Sequence, residues 1–183
     1  MSHFSNAFDD EIVSLLLEGG IGVLRTDTLY GIVARADNEA AVERIYSMKK
    51  RTPEKSPILL IASIDQLFDE YDQQVLDRID EMWPGKTSII LPSTNGPIWL
   101  TRGNESLAYR IPDHEMLREM LEKTGPLIAP SANPEGKRPA MDISEATDYF
   151  GDAVDFYVDH GRVIDDSPSA LYRLKNPGWE RLR

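Results

Sequence analysis

The chain has 183 residues, of which 41% are hydrophobic and 28% charged, with a formal net charge of −11 and no cysteine. That length fits one domain with a sizeable core, and the lack of cysteine excludes disulfides, thiolate catalysis and thiolate-held metal. The acidic balance argues against broad nonspecific nucleic-acid binding, no apolar run is long enough to span a bilayer, and the N-terminal MSHFSNAFDDEI has neither part of a secretory signal.

Residues 7–18 read as a helix stopped by Gly19-Gly20. Ile21–Leu24 reads as a strand that runs into Thr26-Asp27-Thr28-Leu29-Tyr30-Gly31. This segment is either a turn in which Asp27 and Thr28 satisfy the backbone or a polar strand end opening on a cleft. Asn38 is placed to N-cap a helix running to about Lys50, with Ala41, Val42, Ile45 and Met48 on one face. Just beyond, Lys49, Lys50, Arg51 and Lys55 put four cations within seven residues of an acidic protein. Such a cluster is either the favourable end of a helix or a surface for a phosphate or carboxylate.

Pro57–Ala62 is a continuous apolar run and so a buried strand. Ser63 is expected to cap a short helix, and a second helix is expected over 73–83, closed by Pro84-Gly85. Thr87–Leu91 and Ser106–Ile111 are strand-like. Arg110 lies late in the second of these, where a charge must be paired with a carboxylate or hold an anion. Asp113 begins a helix over Glu115–Lys123, and Leu127–Ala129 is a short strand entering Pro130-Ser131-Ala132-Asn133. A helix at 143–150 and strands at Phe156–Val158, Ala170–Leu174 and Trp179–Leu182 complete the reading. This mixture predicts an α/β domain whose sheet is not purely parallel.

No G-x-G-x-x-G, Walker loop or G-x-S-x-G elbow is present, and His3, His114 and His160 have no metal-ligand spacing. A cationic cluster combined with strand-end hydroxyls instead suits an anionic ligand that also needs shape recognition, such as a nucleotide triphosphate or an amino acid.

RTDTLYG (25–31), KKR (49–51), WPGKT (83–87), YRIP (109–112) and SAN (131–133), in this order and spacing, resemble the YrdC/TsaC family, the threonylcarbamoyl-AMP synthases. The resemblance covers nearly the whole chain. It implies one YrdC-like domain over 1–183, of the short single-domain type. The implied fold is α/β, with a twisted, mixed parallel and antiparallel sheet, flanking helices and a cationic cleft. The implied reaction joins L-threonine, bicarbonate and ATP into threonylcarbamoyl-adenylate and pyrophosphate in the cytoplasm. A downstream threonylcarbamoyl transferase complex then modifies tRNA.

By the same resemblance, Thr28 and Ser169 face threonine. Lys49, Arg51, Lys55, Thr87, Ser131, Asn133 and Arg183 face ATP or its phosphates. Arg110 and Tyr30 shape the cleft, Mg2+ accompanies ATP, and tRNA makes at most a weak contact. Three positions depart from the family pattern: Arg25 for a proline, Glu135 for a serine and Ala170 for a threonine. The alternatives are a divergent relative making another acyl-adenylate, or an RNA-binding module.

Overall fold

Helix starts in this chain are written into short acceptor side chains. Asp9, Asn38, Asp72 and Asp142 each accept a backbone N–H from the first turn of the helix that follows. The helices so started are α1 (Asp10–Leu17), α2 (Glu39–Lys49), α3 (Gln73–Asp80) and α6 (Ile143–Phe150). At α6 the cap is reciprocal, because the Glu145 carboxylate accepts the Met141 N–H at 3.0 Å. Two further helices are α4 (Ile98–Thr101) and α5 (Glu115–Thr124), the latter capped by His114. This is a computed structural model, and it describes residues 2–4, 9–175 and 178–183.

Among the described residues ten strands join in one sheet. In chain order they are β1 (Ser2–Phe4), β2 (Gly22–Arg25), β3 (Tyr30–Arg35), β4 (Ile58–Leu60), β5 (Thr87–Pro92), β6 (Ser106–Arg110), β7 (Leu127–Ile128), β8 (Phe156–Val158), β9 (Ala170–Lys175) and β10 (Gly178–Arg181). Their order across the sheet is β1-β8-β2-β3-β7-β4-β6-β5-β9-β10. The pairs β1/β8, β2/β8, β4/β6 and β5/β9 are parallel, and the others are antiparallel. The sheet is therefore mixed, as the sequence predicts.

Alternation along the strands splits the core between the two faces. Val23, Ile32, Ala34, Leu59 and Ile61 turn to the face covered by Val42 and Ile45 of α2, Ile79 of α3 and Ala146 of α6. Leu24, Val33, Leu60 and Ala62 turn to the other, beneath Ile12 and Leu16 of α1 and Leu117 and Leu121 of α5. The apolar runs at 21–24 and 57–62 read as continuous because both of their faces are buried.

Some expectations shift. The first helix begins at Asp10, and positions 7–8 of its expected span lie outside the described residues. Ser63 precedes a single 3-10 turn, Ile64–Gln66, and its hydroxyl caps nothing there. Strands β1 and β3 and the short α4 were not anticipated. Among the described residues no helix is long and apolar enough to cross a membrane.

Candidate functional site

Thr26–Leu29 is a hairpin turn joining antiparallel β2 and β3, closed by the Thr26 N–H donating to the Leu29 carbonyl at 3.0 Å. Neither of the two readings of this segment is complete. The turn satisfies its own backbone, with the Thr26 hydroxyl donating to the Leu29 carbonyl at 2.9 Å and accepting the Thr28 N–H at 3.2 Å. It also faces a cavity through Thr26, Thr28 and Leu29.

Ser131 reaches the same place because the chain leaves β7 alongside β3. The Ile32 N–H donates to the Pro130 carbonyl at 2.9 Å and the Ala132 N–H to the Tyr30 carbonyl at 2.8 Å. Arg110 ends β6, whose neighbour β4 sets Ile58 against the cavity. From the far side come Pro168, Ser169 and Arg183. The cavity holds about 320 Å3. Arg51, Arg110 and Arg183 line it together with the hydroxyls of Thr26, Thr28, Ser131 and Ser169, and among the described residues no Asp or Glu side chain does. Leu29, Ile58, Pro139 and Pro168 supply apolar wall.

Arg110 is buried, and its Nη2 lies 2.9 Å from Asp27 Oδ1. This is an ion pair without an aligned hydrogen bond: neither Asp27 oxygen nor Arg110 Nε has a hydrogen-bond partner among the described residues. The same Nη2 sits 3.5 Å from both the Thr26 and the Thr28 hydroxyl. Burial lowers the Arg110 pKa, and the charge of Asp27 opposes that shift. The sequence left Arg110 either paired or anion-binding; it is paired, and it still lines the cavity.

Arg51 is held in place by its donors. Nε donates to the Lys55 carbonyl at 3.2 Å and Nη2 to the Ser56 carbonyl at 3.0 Å, while the guanidinium lies 5.5 Å from the Tyr46 ring centre. Arg183 donates from Nε to the Ser169 carbonyl at 3.1 Å and from Nη2 to the Ser169 hydroxyl at 3.4 Å. Burial lowers its pKa as well. The Ser169 hydroxyl also lies 2.9 Å from that of Ser88.

The other expected residues are placed differently. Lys49 is only 2% exposed, and its ammonium donates to the Ser131 and Asn133 carbonyls. It is thus a post under the Ser131 loop, where the sequence expects a phosphate contact. Burial and the neighbouring Arg51 charge push its pKa down to about 7, against the pull of Glu135. The chain turns at Lys50, in the left-handed region with φ of 52°, so Lys49 points inward and Arg51 heads for the cavity.

Asn133 shapes the same loop. Its side-chain oxygen accepts from the Ser131 hydroxyl at 2.6 Å, and its amide donates to the carbonyls of Pro134 at 3.0 Å and Lys137 at 2.8 Å. Lys55 pairs with Glu135. Thr87 does not line the cavity, and its carbonyl accepts the Trp83 indole N–H at 2.7 Å. Tyr30 lines the cavity, and its phenol reaches on into the 160–161 loop, donating to the Gly161 carbonyl at 2.8 Å and accepting the His160 N–H at 3.0 Å.

Asp27, which the sequence offers only as a turn or strand-end carboxylate, pairs with Arg110, and Ser88 is not marked by the sequence at all. Asp27 was legible as the counter-charge that a buried strand arginine requires. Ser88 faces Ser169 because β5 and β9 pair in parallel, which no local pattern announces. Arg25 donates to the His160 carbonyl at 3.2 Å and lines a second cavity with Asp27, Asp113, His114 and Asp159. That cavity contains none of the residues expected to face threonine or ATP.

Residues 14–183 match the Sua5/YciO/YrdC family model, described as telomere recombination. The chain belongs to this family. A threonylcarbamoyl-AMP synthase of Marinobacter nauticus is 36% identical over 162 residues, with 85% of each chain covered. One of Stutzerimonas stutzeri is 30% identical over 170 residues, covering 91% of this chain and 92% of its own. The crystal structure of P. abyssi Sua5 complexed with L-threonine superposes with a TM-score of 0.87 at 27% identity, over all of this chain and 56% of that one. E. coli YciO, at 20% identity, shares the fold with a TM-score of 0.84 over 100% of this chain and 92% of its own. The Sua5/YciO/YrdC fold thus accounts for the mixed sheet and for the way distant segments surround one cavity.

Proposed function

We propose that the protein is a threonylcarbamoyl-AMP synthase, a nucleotidyltransferase that makes the activated group for tRNA threonylcarbamoyladenosine. One observation carries this reading. Thr28, Arg51, Arg110, Ser131, Ser169 and Arg183, drawn from separate segments, line a single cavity of about 320 Å3. The curated relatives that bear this name, and the Sua5 relative complexed with L-threonine, support it.

The chemistry fits the residue types. Threonine's amine and bicarbonate condense to a carbamate with loss of water. A carbamate oxygen then bonds to the α-phosphorus of ATP as the bond to the β-phosphate oxygen breaks, and pyrophosphate leaves. Such a displacement needs positioning and positive charge more than a side-chain nucleophile. Arg51 and Arg183 supply that charge on donors already fixed by carbonyls. Thr28 and Ser169 offer hydroxyls for the amino acid, and Ser131 one for the nucleotide. Mg2+ would arrive on the triphosphate, because among the described residues the lining offers guanidinium and hydroxyl groups but no Asp or Glu side chain. Bicarbonate, the downstream transferase and any direct tRNA contact belong to the same proposal.

Pyrophosphate release should require threonine and bicarbonate together, and release independent of either would refute the reading. Arg51→Ala is expected to lower kcat/KM for ATP by about 100-fold. Its thermal midpoint should stay near that of the parent, because the side chain is only partly buried. Near-normal turnover would remove Arg51 from the phosphate site. Ser131→Ala should weaken ATP binding with little change in stability, read by calorimetry and thermal melting. A large fall in melting temperature with unchanged ATP affinity would make Ser131 structural.

A further inference from the structure

The Ser131 loop reaches across to the cationic segment through one side chain, Glu135. Its backbone N–H donates to the Lys49 carbonyl at 2.7 Å. Its carboxylate accepts the Thr52 N–H at 2.5 Å and the Thr52 hydroxyl at 3.0 and 3.1 Å. The Lys55 ammonium completes the set as an ion pair. A backbone N–H, a hydroxyl and an ammonium converging on one point form a donor set suited to a phosphate oxygen. The donors also lie next to the cavity, since Arg51, which lines it, donates to the Lys55 carbonyl.

The loops do not depend on this carboxylate to stay together. Lys49 ties the same two segments from beneath, through the Ser131 and Asn133 carbonyls. Nor does acid release it at working pH, because Lys55 and Thr52 hold the Glu135 pKa down to about 2.

We propose that Glu135 is a built-in carboxylate plug in a phosphate subsite made by Thr52 and Lys55, which the distal phosphates of a nucleotide triphosphate must displace. The proposal rests on the functional reading above and concerns how tightly this chain holds polyphosphate. A plug and a simple clip between loops predict opposite signs. Removing a plug's charge frees the donors and strengthens anion binding, whereas removing a clip loosens the loops and weakens it.

The test is calorimetric titration of inorganic tripolyphosphate into the parent, Glu135→Gln and Glu135→Gln/Lys55→Ala. The Lys55 and Glu135 side chains are 56% and 31% exposed, so the variants should keep the fold. Glu135→Gln is expected to bind about three- to tenfold more tightly, and the added Lys55→Ala to erase that gain. Equal or weaker binding by Glu135→Gln would overturn the plug, as would a gain that survives loss of Lys55. Tripolyphosphate carries neither adenosine nor threonine, so this readout is separate from adenylate formation. Tighter binding without threonine-dependent product would sink the functional reading alone, and unchanged binding with normal product would sink the plug alone.

Discussion

Replacing Arg110 by alanine is expected to cost about 3–5 kcal/mol of folding stability, because it strands the Asp27 carboxylate in the interior without a counter-charge. The Asp27 and Arg110 side chains are 2% and 5% exposed, so each ion keeps little contact with water although each borders a cavity. Their mutual attraction serves largely to offset the cost of burying both. The double variant Asp27→Asn/Arg110→Met should therefore recover much of what Arg110→Ala loses, a coupling that urea unfolding of all the variants measures directly. The recovered protein would still lack a guanidinium against the Thr26 and Thr28 hydroxyls, and threonine-dependent turnover should stay lost. A loss below about 1 kcal/mol in Arg110→Ala would place the pair in the class of exposed ion pairs and contradict its burial.

Lys49→Ala is expected to be the second costly change, at about 2–5 kcal/mol, since it leaves the Ser131 and Asn133 carbonyls without their buried donor and opens a void beside them. A residue whose only task was to touch phosphate would lose activity and keep its stability. Lys49 also gives a pH signature. Its folded pKa of about 7 lies below the usual 10.5, so between these values the unfolded chain binds more protons and stability rises with pH. Below pH 7 both states are protonated and the contribution is constant. The buried tyrosines, whose pKa values are raised, act only above pH 10. The urea midpoint of the parent should therefore rise between pH 7 and pH 9, and that of Lys49→Met should rise less. Equal slopes would mean that Lys49 stays charged inside the fold.

The buried place of Lys49 was legible. Val42, Ile45 and Lys49 stand at i, i+3 and i+7, so the apolar stripe of α2 runs onto the lysine. The cations Lys50, Arg51 and Lys55 around it instead suggest an exposed, anion-facing segment. The hairpin at Thr26–Leu29 was harder, because its turn has no Gly or Pro and none of the Asn-Gly or Asp-Gly signals that mark tight hairpins. Strand β3 therefore began inside what read as a loop motif. Strand β1 is three residues long and exists by pairing with Phe156–Val158, a partner that no local pattern names. Of the ordered motifs, Thr26, Thr28, Leu29, Tyr30, Gly31, Arg51, Arg110 and Ser131 lie on the cavity, whereas 83–87 stays off it. Which cation of the KKR cluster would face the cavity depended on one left-handed residue, Lys50.

The most direct test follows isotope from bicarbonate into nucleotide. The protein would be incubated with ATP, Mg2+, L-threonine and 13C-labelled bicarbonate, and the adenylate resolved by mass spectrometry. The account predicts an adenylate, the mixed anhydride of a carbamate and AMP, that carries both threonine and the labelled carbon, formed together with pyrophosphate and absent when threonine is omitted. An adenylate without the label, or labelled product that forms equally well without threonine, would contradict it.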